Sequence, residues 1–105
     1  MDRYFPHEKL TCYQLAVTVS RWFRHTDFPA GSADLKDQGK RAAAGVALAI
    51  AEGSRSQGGN RKKHFRYAEA SAAEACAVLD LLELPEGRER QQELRRIAAM
   101  VRGLR

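Results

Sequence analysis

Between Gln38 and Gly53 the chain sets small residues into a helical pattern. Gly39, Gly45 and six alanines fall inside a stretch whose apolar side chains, Leu35, Ala42, Ala43, Val46 and Ile50, recur at helical spacing. Glycine within a helix costs about 1 kcal/mol relative to alanine. Two glycines kept at that cost imply that another helix backbone or a large side chain comes close. A helix with such a face is stable only when packed against further helices, so this segment points to a bundle.

The rest of the chain supplies the partners. Helical periodicity is expected over 8–24, where Leu10, Tyr13, Val17 and Ser20 mark a stripe beside Ala16 and Phe23. Phe28-Pro29-Ala30-Gly31 then breaks it, and a second helix is expected over 33–53 with Ser32 as its N-cap. The polar stretch Gly53–Gly59 reads as a loop, or as a helix end followed by a flexible link. A third helix is expected over 60–84, capped by Asn60, with Phe65, Ala68, Ala72, Cys76, Leu79 and Leu82 inward and Pro85 beyond its end. A fourth is expected over 86–103, its stripe carrying Leu94, Ile97, Ala98, Val101 and Leu104. No hairpin signal interrupts the series. The fold class is all-α, an up-and-down four-helix bundle in a single domain over 1–105.

At 105 residues the chain buries only about two-thirds of its unfolded surface. Its alanine-rich core adds little area per residue, so self-association is expected to supply the missing burial. The N-terminal residues from Met1 to Pro6 show no signal-peptide pattern, and no run of apolar residues is long enough to span a membrane. A cytoplasmic protein is expected, with Cys12 and Cys76 reduced and buried as small hydrophobes.

The net charge is +5, and it is uneven. Between Asp34 and Arg66 eight basic side chains stand against three acidic ones, a surplus equal to that of the whole chain. Between Glu69 and Glu93 the balance reverses, and Arg95, Arg96, Arg102 and Arg105 restore positive charge at the end. Cations at a helix start oppose the helix dipole. The cluster Arg61-Lys62-Lys63-His64-Phe65-Arg66 therefore reads as a nucleic-acid contact, RNA or DNA, made through phosphates. Lys40, Arg41, Arg55, Arg61, Lys62, Lys63 and Arg66 are its candidate residues. No base-reading motif accompanies them.

Enzymatic readings fare worse. Glu52, at the end of an apolar helix, and Glu74, on the third helix, are expected to form structural ion pairs that fix helix register, with Arg55 in reach of Glu52. No second group at a recognisable spacing makes Glu52 a catalytic acid. Arg61-x-x-His64 is spaced too closely for the Arg–His arrangement that helical toxin ribonucleases show. His7, His25 and His64 are scattered, so neither a metal site nor a cofactor is expected. Trp22, Phe23 and Phe28 are read as core packing or a subunit contact.

Gln38, Arg41, Ala42, Ala43, Ile50, Ala51, Glu52 and Gly53 reproduce the pattern Gln-x-x-Arg-Ala-Ala-x-Ser-Ile-x-x-Asn-Ile-Ala-Glu-Gly. With Phe28-Pro29 and Ala68-Glu69-Ala70-Ser71-Ala72-Ala73-Glu74, this resembles the "four helix bundle protein" family over roughly residues 8–83. That family includes proteins encoded in intervening sequences of bacterial large-subunit ribosomal RNA genes. It also includes the accessory variability determinants of diversity-generating retroelements. The resemblance implies a homopentameric four-helix bundle without catalytic activity. In the retroelement branch it implies nucleic-acid binding and association with a reverse transcriptase. Gly45 and Ala49 stand where the family has Ser and Asn, which removes two polar groups from the helix face. An alternative reading is a protein–protein adaptor whose charge is incidental.

Overall fold

Four α-helices make up the computed structural model, which describes residues 3–105: α1 (Thr11–His25), α2 (Ala33–Arg55), α3 (Gly58–Leu81) and α4 (Gly87–Leu104). The N-terminal reading that takes in Met1 and Asp2 lies outside the described residues. Helices adjacent in sequence pack side by side and α4 closes back on α1, so the bundle is a square of up-and-down helices. The α2–α3 pairing is the most extensive. Opposed residues fix its antiparallel register: the position of a Cβ on Gly39 faces Val78, on Gly45 Ser71, and on Gly53 Phe65.

The close approach implied by the glycines is present. A Cβ on Gly39 would lie 2.5 Å from Cε1 of Phe23, and one on Gly45 would lie 3.2 Å from the Ser71 hydroxyl. The sequence reading missed a third. Gly53, placed there at the edge of a loop, is buried in the last turns of α2, where a Cβ would lie 2.6 Å from the Phe65 ring. The expected polar loop shrinks to Ser56 and Gln57. Ser54 and Ser56 return their hydroxyls to the carbonyls of Ile50 and Glu52, and α2 runs to Arg55, the Ser56 bond satisfying a carbonyl of its last turn. Gly58, at φ +58°, turns the chain into α3, whose N-cap is Gln57 rather than Asn60.

Two other boundaries move. The first segment is not one helix from residue 8. A short 3₁₀ turn covers Pro6–Lys9 and Leu10 is extended, because Glu8 folds back to accept the Phe5 N–H while Gln14 donates to the Glu8 carbonyl. The inward stripe of α1 is accordingly Cys12, Ala16, Val19 and Phe23, one residue round from the expected one. At the start of α2, Ser32 holds the N-cap position, but its hydroxyl donates to the Pro29 carbonyl and closes the preceding turn instead. α3 stops at Leu81, before Pro85.

The core is made of one cluster. Phe23, Phe65, Ile50, Leu94 and Ile97 fill its volume, and alanines on α2 and α3 bring those two helices together. Cys12 lies inside it, whereas Cys76 is only half-buried at its edge. Trp22 meets Phe23 edge to face at 5.1 Å, with Phe28 beside both. The aromatic trio thus packs the end of the bundle where the α1–α2 turn lies. Buried Gln91 of α4 donates to the Cys76 carbonyl and to Asp80 of α3, locking that helix pair with a polar bridge.

Candidate nucleic-acid interface

The antiparallel arrangement brings the start of α3 beside the end of α4. Lys62 and Arg66 are one turn apart on α3 and share its α4-facing edge. Across from them stand Arg102 and Arg105, and these four cations line a concavity of about 350 Å³. One acid lies against it. Glu69 Oε1 accepts from Nε of Arg102 and from Nη2 of Arg105, both at 3.2 Å, and its Oε2 lies 2.8 Å from Nε of Arg105 as an ion pair. It holds both guanidinium groups in place and leaves the cluster net positive. Four cations this close together concentrate positive potential, the condition for drawing in a phosphate backbone.

Lys62 and Arg66 are thus the expected contact residues that the fold brings together. Arg102 and Arg105 were missed as members, although the basic tail was visible. An up-and-down bundle places the last turn of the fourth helix beside the first turn of the third, and that rule joins the two clusters.

The other expected residues go elsewhere. Arg61 is committed to structure: it donates to the Gly53 carbonyl (3.2 Å) and the Leu104 carbonyl (3.3 Å), and its guanidinium lies 4.7 Å over the Phe65 ring. It clamps the ends of α2 and α4 onto α3. Lys63 lies over the exposed Tyr67 ring at 5.9 Å. Arg55 covers the Phe5 ring at 5.2 Å. Lys40 pairs loosely with Asp37, and with Arg41 and Arg24 it lines a separate hollow on α1 and α2. The glycine register sets Lys40 level with residue 77 of α3, about 22 Å along the axis from Lys62 at 1.5 Å per residue. The candidate residues therefore do not share one surface: Lys62 and Arg66 join the α3–α4 groove, and Lys40 and Arg41 line a separate hollow with fewer cations.

The carboxylates also differ from expectation. Glu52 is exposed and reaches the Nδ1 of His64 on α3 at 3.3 Å, not Arg55. Glu74 is exposed and has no ion pair among the described residues. The buried network expected of these two is replaced by Glu69 with its arginines, and by Arg90, which pairs with Glu93 at 2.6 Å and stacks over Trp22. With Arg61 clamped and His64 turned to Glu52, the pair considered for ribonuclease chemistry does not converge on one point. Among the described residues no group of three or more His, Cys, Asp or Glu is placed to hold a metal ion. Burial pushes both thiols above their ordinary pKa.

Fold and site together define a class: an all-α four-helix bundle with a four-cation groove at one end. Comparison with models of protein families, with curated proteins and with solved structures finds no match.

Proposed function

We propose that this chain is a non-enzymatic, self-assembling cytoplasmic bundle that binds RNA or DNA through phosphates as an accessory or scaffold protein. The observation that carries this reading is the convergence of Lys62 and Arg66 with Arg102 and Arg105 in one groove. The resemblance to the four helix bundle protein family supports it, and with that resemblance go a homopentamer and a reverse transcriptase as a protein partner. Exposed Leu48 and Leu81, 63% and 68% accessible, are apolar surface that assembly would cover. No helix among the described residues is long and apolar enough to cross a membrane.

The test is binding to labelled RNA and DNA across a salt series, with mass in solution recorded alongside. Four phosphate contacts on a single strand predict that log K falls against log salt with a slope of about −3. Absence of binding at low salt would overturn the reading. A second reading, a protein–protein adaptor, draws on one observation: Ala72, Ala73, Cys76, Ala77 and Ala98 line an apolar groove of about 330 Å³ between α3 and α4. Capture of a protein partner that resists high salt, in place of nucleic-acid binding, would favour it.

A further inference from the structure

Tyr67 is exposed at 55%, and its one ring contact among the described residues is the ammonium of Lys63. A large aromatic side chain left in solvent does nothing for the core, and this one lies on the helix that bears half of the basic groove. Lys62 and Arg66 form the α4-facing edge of α3. Lys63 and Tyr67 are each the next residue in sequence, so they lie about 100° further round the same helix. The axial distance from Lys62 to Tyr67 is only about 7.5 Å. One turn of helix thus presents phosphate-binding cations on one side and an open ring with its own cation on the other.

The charge around this turn restricts what fits. Beyond Tyr67 towards the C-terminal end of α3 come Glu74 and Asp80, both exposed, and then Glu83. A duplex laid along α3 would set a phosphate row against these acids. A strand crossing α3, from the groove over Arg66 and Lys63 to Tyr67, meets cations and one acid, Glu69, which is already paired with Arg102 and Arg105. Within a duplex both faces of each interior base are covered by its neighbours, so away from duplex ends a base can be laid on a ring only from an unpaired strand.

Resting on the nucleic-acid reading above, we infer that the ligand of this site is single-stranded nucleic acid. Its backbone is seated among Lys62, Arg66, Arg102 and Arg105, and one base is stacked on Tyr67. Stacking is indifferent to base identity, so the preference is for unpaired strands and not for a sequence. Tyr67 supplies affinity that salt does not screen, and the groove supplies the salt-dependent part.

The experiment measures fluorescence anisotropy of the full chain with three labelled probes of equal length: an oligoribonucleotide, the same strand with abasic positions, and its duplex. Each is titrated with wild type, Tyr67→Ala, Tyr67→Phe and the double variant Lys62→Ala/Arg66→Ala, after circular dichroism shows each folded. Wild type is expected to bind the intact strand more tightly than the abasic strand or the duplex. Tyr67→Ala is expected to weaken the intact strand about 5- to 150-fold, to leave the abasic strand unchanged, and to keep the salt slope. Tyr67→Phe keeps the ring and retains binding. The double variant weakens all three probes and flattens the slope. Equal binding of intact and abasic strands, or a Tyr67→Ala variant that binds like wild type, overturns the stacking inference and leaves the groove standing. Failure of all three probes to bind at low salt overturns both.

Discussion

Gly39 and Gly53 each lie against an aromatic ring that the core holds still. A methyl at Gly39 would meet Phe23 Cε1 at 2.5 Å and Val78 Cγ1 at 3.3 Å. Phe23 is fully buried, so it has no room to retreat. Overpacking of this kind costs about 1–3 kcal/mol, more than the roughly 1 kcal/mol that alanine gains in helix propensity. Gly39→Ala is expected to lower the melting temperature by several degrees. Gly103→Ala, with nothing within 4 Å of the added methyl, is expected to raise it. Thermal unfolding followed by far-UV circular dichroism checks both, and opposite signs are the prediction. The role of Gly39 was legible in sequence because it interrupts a helical stripe. That of Gly53 was not, because the serines and glycines after it make the same local pattern as a loop. What the local pattern does not contain is the packing of Phe65 of α3 against Gly53, which buries this last turn of α2.

Cys12 makes a prediction at the same scale. Burial, partly offset by backbone hydrogen bonds, raises its pKa, so the folded chain holds this proton more tightly than the unfolded one. The associated stability is complete below the unfolded thiol value, about 8.5, and is lost as pH rises from there towards the raised folded value. The denaturant midpoint is therefore expected to fall above that pH, and to fall less in Cys12→Ala. Equal slopes in the two proteins would contradict it.

At the scale of elements, two polar devices set how the helices meet. Gln91 bridges α4 to the Cys76 carbonyl and to Asp80, and Arg61 bridges α3 to the ends of α2 and α4. Gln91→Ala removes a buried donor and the bridge it makes to α3, at about 1 kcal/mol. Arg61→Ala removes two hydrogen bonds and a ring contact and is expected to destabilise by a similar amount. Amide hydrogen exchange is expected to quicken at the end of α4 in Arg61→Ala, and at the α3–α4 turn in Gln91→Ala. A loss of binding in Arg61→Ala thus says nothing about phosphate contact until stability is matched. The clamp made by Arg61 was not legible in sequence because its cluster is basic throughout. Which member turns inward depends on the close passage of Gly53 and Leu104, and neither is local to it. The four helices themselves were legible from periodicity. The break at Leu10 was not, since Glu8 and Gln14 fold locally against the helical pattern.

Over the whole molecule, charge is sorted by topology. Antiparallel packing of α3 and α4 sets two basic segments side by side, while the acids between them in sequence, Glu69 apart, lie towards the other end of the helix pair. Half of the groove was legible as a basic run. The other half needed the closure of the bundle, which local sequence does not contain. The Lys40–Arg41 pair on α2 carries the same formal charge as Lys62–Arg66 but stands in a hollow that contains Asp37 and has only Arg24 to add.

That equivalence permits the most direct test of the central claim, that the α3–α4 groove binds nucleic acid by a local concentration of cations and not by net charge alone. Lys62→Glu/Arg66→Glu and Lys40→Glu/Arg41→Glu change the net charge equally. Binding of both to one labelled single-stranded RNA is measured at the same ionic strength, with folding and assembly checked. The groove variant is expected to lose binding and to show a flattened salt slope, while the α2 variant keeps most of its affinity. Equal loss in the two would show that only net charge matters and would contradict the assignment of the site.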